Sequence, residues 1–402
     1  MLTPTIKKIL FFGAIAAAIA LIAFGIYFFF FSKNPTTGTG SNLPSGNSQG
    51  RLPTDVRPAP GETETPSGQV QTEPRLFSVH DKPVVSAVSF IRNKVSFTRF
   101  VEQGSGHVYE YNFKTKAKVR ISNTSIPQIA EALWSSDGNT LVFRYEESGV
   151  VHTAVGSLST TTEESAFKKI SFLPEGIRSI SISADGSQVF YIVKGDSPAI
   201  GVLAKADGGS PKILFSSPLS QWNVDWADPG SVLISTPQSL FGGIAYRVRL
   251  SDGVQSQLTI SDITFGGVQG GSSRQLIATV PSNGQVTQLG SKGEFSDLSD
   301  FSWPTKCAFA QFATSSMVCA NMAQTDLLRF DEWQRGEIRT SDQLVATNFA
   351  AGYKMLLIPS DDLGDKTFDM TNISLTPTGE YLVFKNRVDQ LLWGVRVPGG
   401  IQ

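Results

Sequence analysis

"WSSDGNTLVFRY", Trp134 to Tyr145, is a short polar run closed by Asp-Gly and followed by an alternating apolar stretch. An Asp-Gly pair marks a tight hairpin, because Gly accepts a positive φ without steric cost. The alternation that follows is that of a strand with one face buried. The same phrase recurs as "ISADGSQVFYIV" at Ile182 to Val193 and as "LTPTGEYLVFKN" at Leu375 to Asn386. Gly138 and Gly186 stand 48 residues apart, and Gly379 follows Gly186 by about four times that spacing. Three weaker copies fill the interval, starting at Trp226 ("WADPGSVLIST"), Gly270 ("GGSSRQLIATV") and Phe312 ("FATSSMVCANM"). A seventh, "FIRNKVSFTRF" from Phe90, carries Asn93 in the turn slot.

Turn-punctuated strands repeating every 40–50 residues or so are the signature of a β-propeller. The expectation is an all-β, seven-bladed β-propeller over 75–402, with six or eight blades as alternatives because the copies at Gly270 and Phe312 are degenerate. Each repeated phrase is then the turn and second strand of one blade. In the first unit the four strands read Val84 to Phe90, Lys94 to Val101, His107 to Phe113 and Ala117 to Ser122. The last unit is one strand short, and "RLFSV" (Arg75 to Val79) has no blade of its own. It is expected to complete the last blade beside 372–397 and cover an open sheet edge.

The stretch from Trp134 to Phe143 resembles the repeat of TolB-type propellers, relatives of the WD-repeat class, without the Gly-His and Trp-Asp signatures of true WD repeats. An insertion, "DLLRFDEWQRGEIRTSDQL" (Asp326 to Leu344), and the closing "DQLLWGVRV" are similar to uncharacterised membrane-anchored propellers of small-genome bacteria. That resemblance implies a cellular address rather than an activity, since propellers host many unrelated functions.

Ahead of the repeats, Ile9 to Phe31 is an uncharged apolar run of 23 residues. About 20 apolar residues span a bilayer as a helix. Lys7 and Lys8 precede the run, which predicts a short cytoplasmic segment (1–8), a single transmembrane helix (9–31) and an extracytoplasmic body. A cleaved signal peptide is the competing reading, although its apolar core is usually only about 7–15 residues. Residues 32–74 are rich in Pro, Thr, Gly and Ser and form an expected disordered tether. "GNSQG" (Gly46 to Gly50) matches the serine-hydrolase pattern but lacks its strand and helix.

The net charge of −1 and the 17% charged residues leave no basic excess for nucleic-acid phosphates. Cys307 and Cys319, the two cysteines, flank a hairpin and are the disulfide candidates. Asp361, Asp362, Asp365 and Asp369 cluster on a loop as a weak calcium candidate, without EF-hand spacing. No metal or cofactor motif is expected elsewhere. Trp333, with Arg329, Arg335 and Arg339 nearby, is the candidate binding group, since Trp and Arg are enriched at hot spots. A packed cap on the propeller is the alternative for Trp333. The expected function is a non-enzymatic, envelope-anchored binding or scaffolding module for a protein partner, or next a cell-wall glycan. The rivals are a glycan-active enzyme with a channel-lined site and a self-assembling surface-layer protein.

Overall fold

The computed structural model describes residues 74–126, 128–158, 167–194, 198–237, 243–258, 264–267, 276–280, 285–289, 295–310, 316–348, 351–358, 360–397 and 399–401. The expected membrane helix, the tether up to Glu73 and the Gly46 to Gly50 motif lie outside them. The chain divides into a unit of Met1–Gln69 and a unit of Val70–Gln402, and the second holds all the described residues. Among these, no helix is long and apolar enough to cross a membrane.

The described residues form seven four-stranded antiparallel sheets. Sheet one covers 84–120, sheet two 129–172, sheet three 177–217, sheet four 223–257, sheet five 264–301, sheet six 307–356 and sheet seven 370–396. In each of the first six the strands follow in chain order. The first strands are Val84–Arg92, Ile129–Trp134, Ile177–Ile182, Asn223–Asp228, Thr264–Gly267, Cys307–Phe309 and Met370–Leu375. Neighbours in that series touch around a ring, with the 3-10 turn Pro304–Lys306 bridging sheets five and six. The ring closes where Met370–Leu375 meets Val84–Arg92. The fourth strand of sheet seven is Leu76–Ser78, which pairs antiparallel with Leu392–Arg396, Phe77 opposite Gly394. The two ends of the propeller are thus hydrogen-bonded into one sheet.

The repeated phrase has a physical explanation at atomic detail. The Ser135 hydroxyl accepts the Thr140 amide at 2.9 Å and donates to Asp137 at 2.6 Å, so one hydroxyl closes the loop. Ser183 does the same with Gln188 and Asp185, and Thr376 accepts the Tyr381 amide. Gly138, Gly186 and Gly379 have φ near +70°, as the hairpin requires. The turns also tie the sheets together. Ser136 donates its amide to the Ala184 carbonyl at 2.8 Å, and Arg99 in sheet one donates to the Gly138 carbonyl at 2.7 Å. The core lies between sheets: Trp134, Leu141 and Phe143 pack against Val85, Val88 and Val101, and equivalent clusters recur around the ring.

Candidate functional site

The first strands surround a cavity of about 700 Å3. Its wall is mostly apolar, with Val88, Leu133, Trp134, Trp226, Phe309 and Leu375 drawn from five sheets. Polar groups enter as Ser86, Ser136, Ser183, Gln188, Asn372 and Ser374, with the carboxylates of Asp185 and Asp228. Among the described lining residues there is no Lys, Arg or His.

Trp134 and Trp226 occupy the same slot, four residues ahead of their turn glycines, in sheets two and four. Both are buried, at 7% and 4% exposure, and both indole N–H groups are without a hydrogen-bond acceptor. Both nitrogens are sealed from solvent, at about 1–3 kcal/mol for each unsatisfied donor, so the two rings meet the cavity through their carbon atoms. Trp222, which lies outside the cavity wall, satisfies its own N–H on the Leu219 carbonyl at 3.0 Å.

The two carboxylates of the wall are engaged by their own turns. Asp185 accepts from Ser183 and from the amide and hydroxyl of Ser187, and these bonds, the one from Ser183 foremost, hold its carboxyl below the usual range. Asp228 accepts the Gly230 amide and the Ser231 hydroxyl, and Arg247 lies 3.5 Å away. They act as turn acceptors, which leaves them poorly placed as acids or bases for a substrate.

The predicted residues lie in sheet six and its neighbourhood. The insertion leaves between the second and third strands as the 3-10 turn Gln324–Arg329 and the helix Phe330–Gln334. It ends before Leu344, which already belongs to the strand Gln343–Asn348. Trp333 is not an exposed contact. It is 7% exposed and packs with Trp303, Phe330 and Met322, because Phe330 and Trp333 share the inner face of one helical turn. The packed-cap alternative describes it. Arg329, Arg335 and Arg339 are exposed. Arg329 pairs with Glu332, and Arg335 with Glu337. The Arg339 guanidinium bonds to the Gly336 and Ile338 carbonyls.

Cys307 and Cys319 form a disulfide between directly opposed residues of the hairpin. Their Cα atoms are 4.1 Å apart, just below the usual range of about 4.4–6.8 Å. The Ala310 amide bonds to Ser316, three rungs away, so the cysteines sit at a non-hydrogen-bonded rung, where strands approach most closely.

The calcium candidates do not converge. Asp362 is exposed, in the short helix Ser360–Leu363, and its nearest cation is Arg75 at 4.0 Å. Asp361 is in the same helix, and Asp365 is exposed just beyond it. Asp369 is wholly buried and occupied by Lys306 at 2.7 Å and by the Trp333 indole at 2.9 Å. No group of three His, Cys, Asp or Glu among the described residues could hold a metal ion.

Sequence reasoning missed the surroundings of Asp369. Lys306 is fully buried, and its ammonium meets Asp342 at 2.5 Å, Asp369 at 2.7 Å and the Thr340 hydroxyl at 2.6 Å. The rings of Trp333 and Trp303 lie 5.1 and 5.6 Å from the same nitrogen. Burial pushes the Asp342 carboxyl up to about 6, against the pull of Lys306.

No family model and no curated protein sequence matches the chain. Solved structures do. An oligogalacturonate lyase from Vibrio parahaemolyticus superposes with a TM-score of 0.55 at 11% identity, covering 83% of this chain and 96% of that one. A virginiamycin B lyase from Staphylococcus aureus gives 0.52 at 11%, covering 80% and 97%. The β-propeller domain of the Trilobed protease from Pyrococcus furiosus gives 0.51 at 10%, covering 78% and 96%. At such identities the likeness establishes a propeller fold and carries no activity.

Proposed function

We propose that this chain is a binding module: a seven-bladed propeller held outside the cytoplasm by a helix at Ile9–Phe31 and a tether over 32–74. Its central cavity receives an uncharged polypeptide segment of an envelope protein. The mostly apolar wall, to which Trp134 and Trp226 both contribute, carries this reading. Such a wall suits apolar side chains better than sugar hydroxyls, and Ser86, Ser136, Gln188 and Asn372 are there to meet the backbone of a bound segment. The absence of cationic groups from the described lining disfavours an acidic glycan. The engagement of Asp185 and Asp228 in their turns supports binding over catalysis. Arg329, Arg335 and Arg339 offer the partner a further polar contact.

The test is crosslinking in intact cells, followed by affinity purification and mass spectrometry, with the wild type and with Trp134→Phe/Trp226→Phe. A stoichiometric protein captured by the wild type and lost with the double variant is expected. Capture unaffected by the double variant removes the cavity from the proposal. Retention of a glycan with no protein replaces it with the glycan reading.

A further inference from the structure

The pocket of sheet six places an amine against two carboxyl groups inside an aromatic shell. Lys306, Asp342 and Asp369 have fully buried side chains, with Trp303, Phe330 and Trp333 closing the space around them. Arg387 is the other cation facing the group, 3.8 Å from Asp369 and 4.1 Å from the Trp333 ring centre. One lysine, one arginine and two aspartates balance in charge, but a dry interior penalises every ion it holds. The two oxygens of Asp342 differ sharply. Oδ2 accepts the Lys306 ammonium at 2.5 Å and the Met370 amide at 2.7 Å, whereas Oδ1 is buried with no hydrogen-bond partner. The Asp369 oxygens are both engaged by the Trp333 indole, and Thr340 donates to Oδ1.

We propose that Lys306 and Asp342 condense into an intramolecular amide, with Asp369 carrying the proton. The reaction needs no oxidant and no cofactor. The Lys306 ammonium first passes one proton to Asp342 Oδ2, the oxygen it touches, leaving a neutral amine beside a neutral acid. That exchange removes two charges from a site that solvates them poorly. The raised carboxyl of Asp342 favours the same state, and a neutral carboxyl is an electrophile where a carboxylate is not. Nζ attacks Cγ, the charge develops on Oδ1, and the Met370 amide already donating to Oδ2 favours the departure of that oxygen. Asp369, 2.7 Å from the same nitrogen, takes the second proton and returns it to the Oδ2 hydroxyl. The Cγ–Oδ2 bond breaks, one water leaves, and Asp369 is again a carboxylate, beside Arg387.

The product ties Lys306, at the entry of sheet six, to Asp342, at the exit of the insertion. Cys307, the next residue, is already bound to Cys319. Two covalent bonds from adjacent residues then clamp the roots of the insertion.

The experiment is the intact mass of the unreduced full chain, followed by digestion and tandem mass spectrometry. The expected result is a mass one water below that of the disulfide-bonded sequence, and a branched peptide joining Lys306 to Asp342. The full mass, or a linear Lys306 peptide, overturns the proposal, and so does a branch to Asp369. These readings do not depend on any variant folding. Asp369→Asn, checked as folded by circular dichroism, is expected to keep its water. If it still loses it, the role of Asp369 is refuted.

Discussion

The Trp333 indole leaves the insertion of sheet six and donates to both oxygens of Asp369, at 2.9 and 3.0 Å, just before the first strand of sheet seven. The contact joins a segment with no counterpart among the described residues of the other sheets to the ring itself. Asp369 in turn receives Lys306, and its own amide donates to Asn386. Trp333→Phe keeps most of the packing and removes the donor. Leaving a buried carboxylate short of one hydrogen bond is expected to cost about 1–3 kcal/mol. The shift in urea midpoint measures it. A change within error would show that the indole contributes packing alone.

The turn glycines differ in their surroundings, and substitutions should reveal it. A Cβ at Gly138 would sit 3.0 Å from the Phe90 ring, and one at Gly186 would sit 2.4 Å from the Thr140 hydroxyl. Gly149 has the same positive φ, yet a Cβ there meets nothing within 4 Å. Gly149→Ala therefore costs only backbone strain, about 1 kcal/mol. Gly138→Ala and Gly186→Ala add a clash between sheets and are expected to cost about 1–3 kcal/mol more, the usual range for overpacking. Thermal unfolding of the three variants side by side checks the order.

Cys307 and Cys319 close a loop of 12 residues across the hairpin. A loop of that size corresponds to roughly 3 kcal/mol of denatured-state entropy. Cys307→Ala/Cys319→Ala is expected to lose about 2–4 kcal/mol. Because the strands still pair on either side, the fold itself should survive. Calorimetry with and without reductant gives the same comparison without mutation.

The fold was legible because its information is local. Gly138, Gly186 and Gly379 mark the same turn, and the Ser or Thr three residues earlier supplies the hydroxyl that closes it. The unpaired segment at Arg75 to Val79 and the incomplete last unit together pointed to the shared sheet. The buried position of Trp333 was also readable, since Phe330 stands three residues before it on one helical face. The Lys306 pocket was not. Its partners lie 36 and 63 residues away, brought together by blade packing that no spacing rule encodes. The cavity wall takes a few residues from each sheet, so it too has no local signature.

Acid should destabilise the protein in two separate steps. His80 is 3% exposed, with Nε2 on Glu102 at 2.9 Å and Nδ1 facing Lys118 at 3.0 Å and Asp81 at 3.4 Å. Burial, helped by Lys118, holds the imidazole below its ordinary 6.5 against the pull of the two carboxylates. The unfolded chain then binds a proton that the folded chain refuses, so stability falls as pH drops below 6.5. The depressed carboxyls of Asp185 and Asp207 act only later, losing their contribution below their unfolded 3.8. Asp342, while a free acid, works in the opposite sense, losing stability as pH rises from 3.8 to about 6. Condensation with Lys306 removes that opposing contribution and leaves the two acid steps as they are. Urea midpoints at pH 7.5 and 5.5 are expected to fall for the wild type and to change less for His80→Gln.

The two cavity tryptophans should behave unlike their neighbour Trp222. Trp222→Phe loses ring volume and also orphans the Leu219 carbonyl. Trp134→Phe and Trp226→Phe lose similar volume but discard a donor that had no partner. Deleting an unsatisfied buried donor recovers part of its desolvation cost, so these variants should be more stable than Trp222→Phe by about 1 kcal/mol. Denaturant unfolding of the isolated variants measures that difference. Binding should follow a different order, because Trp134 and Trp226 form part of the apolar cavity wall and Trp222 does not. Each Trp→Phe change in the cavity is expected to weaken binding about 3- to 5-fold, the worth of roughly one methylene of lost apolar contact. Titration of the captured partner onto all three variants tests this. Equal affinities for Trp134→Phe, Trp226→Phe and Trp222→Phe would show that the cavity does not receive the partner.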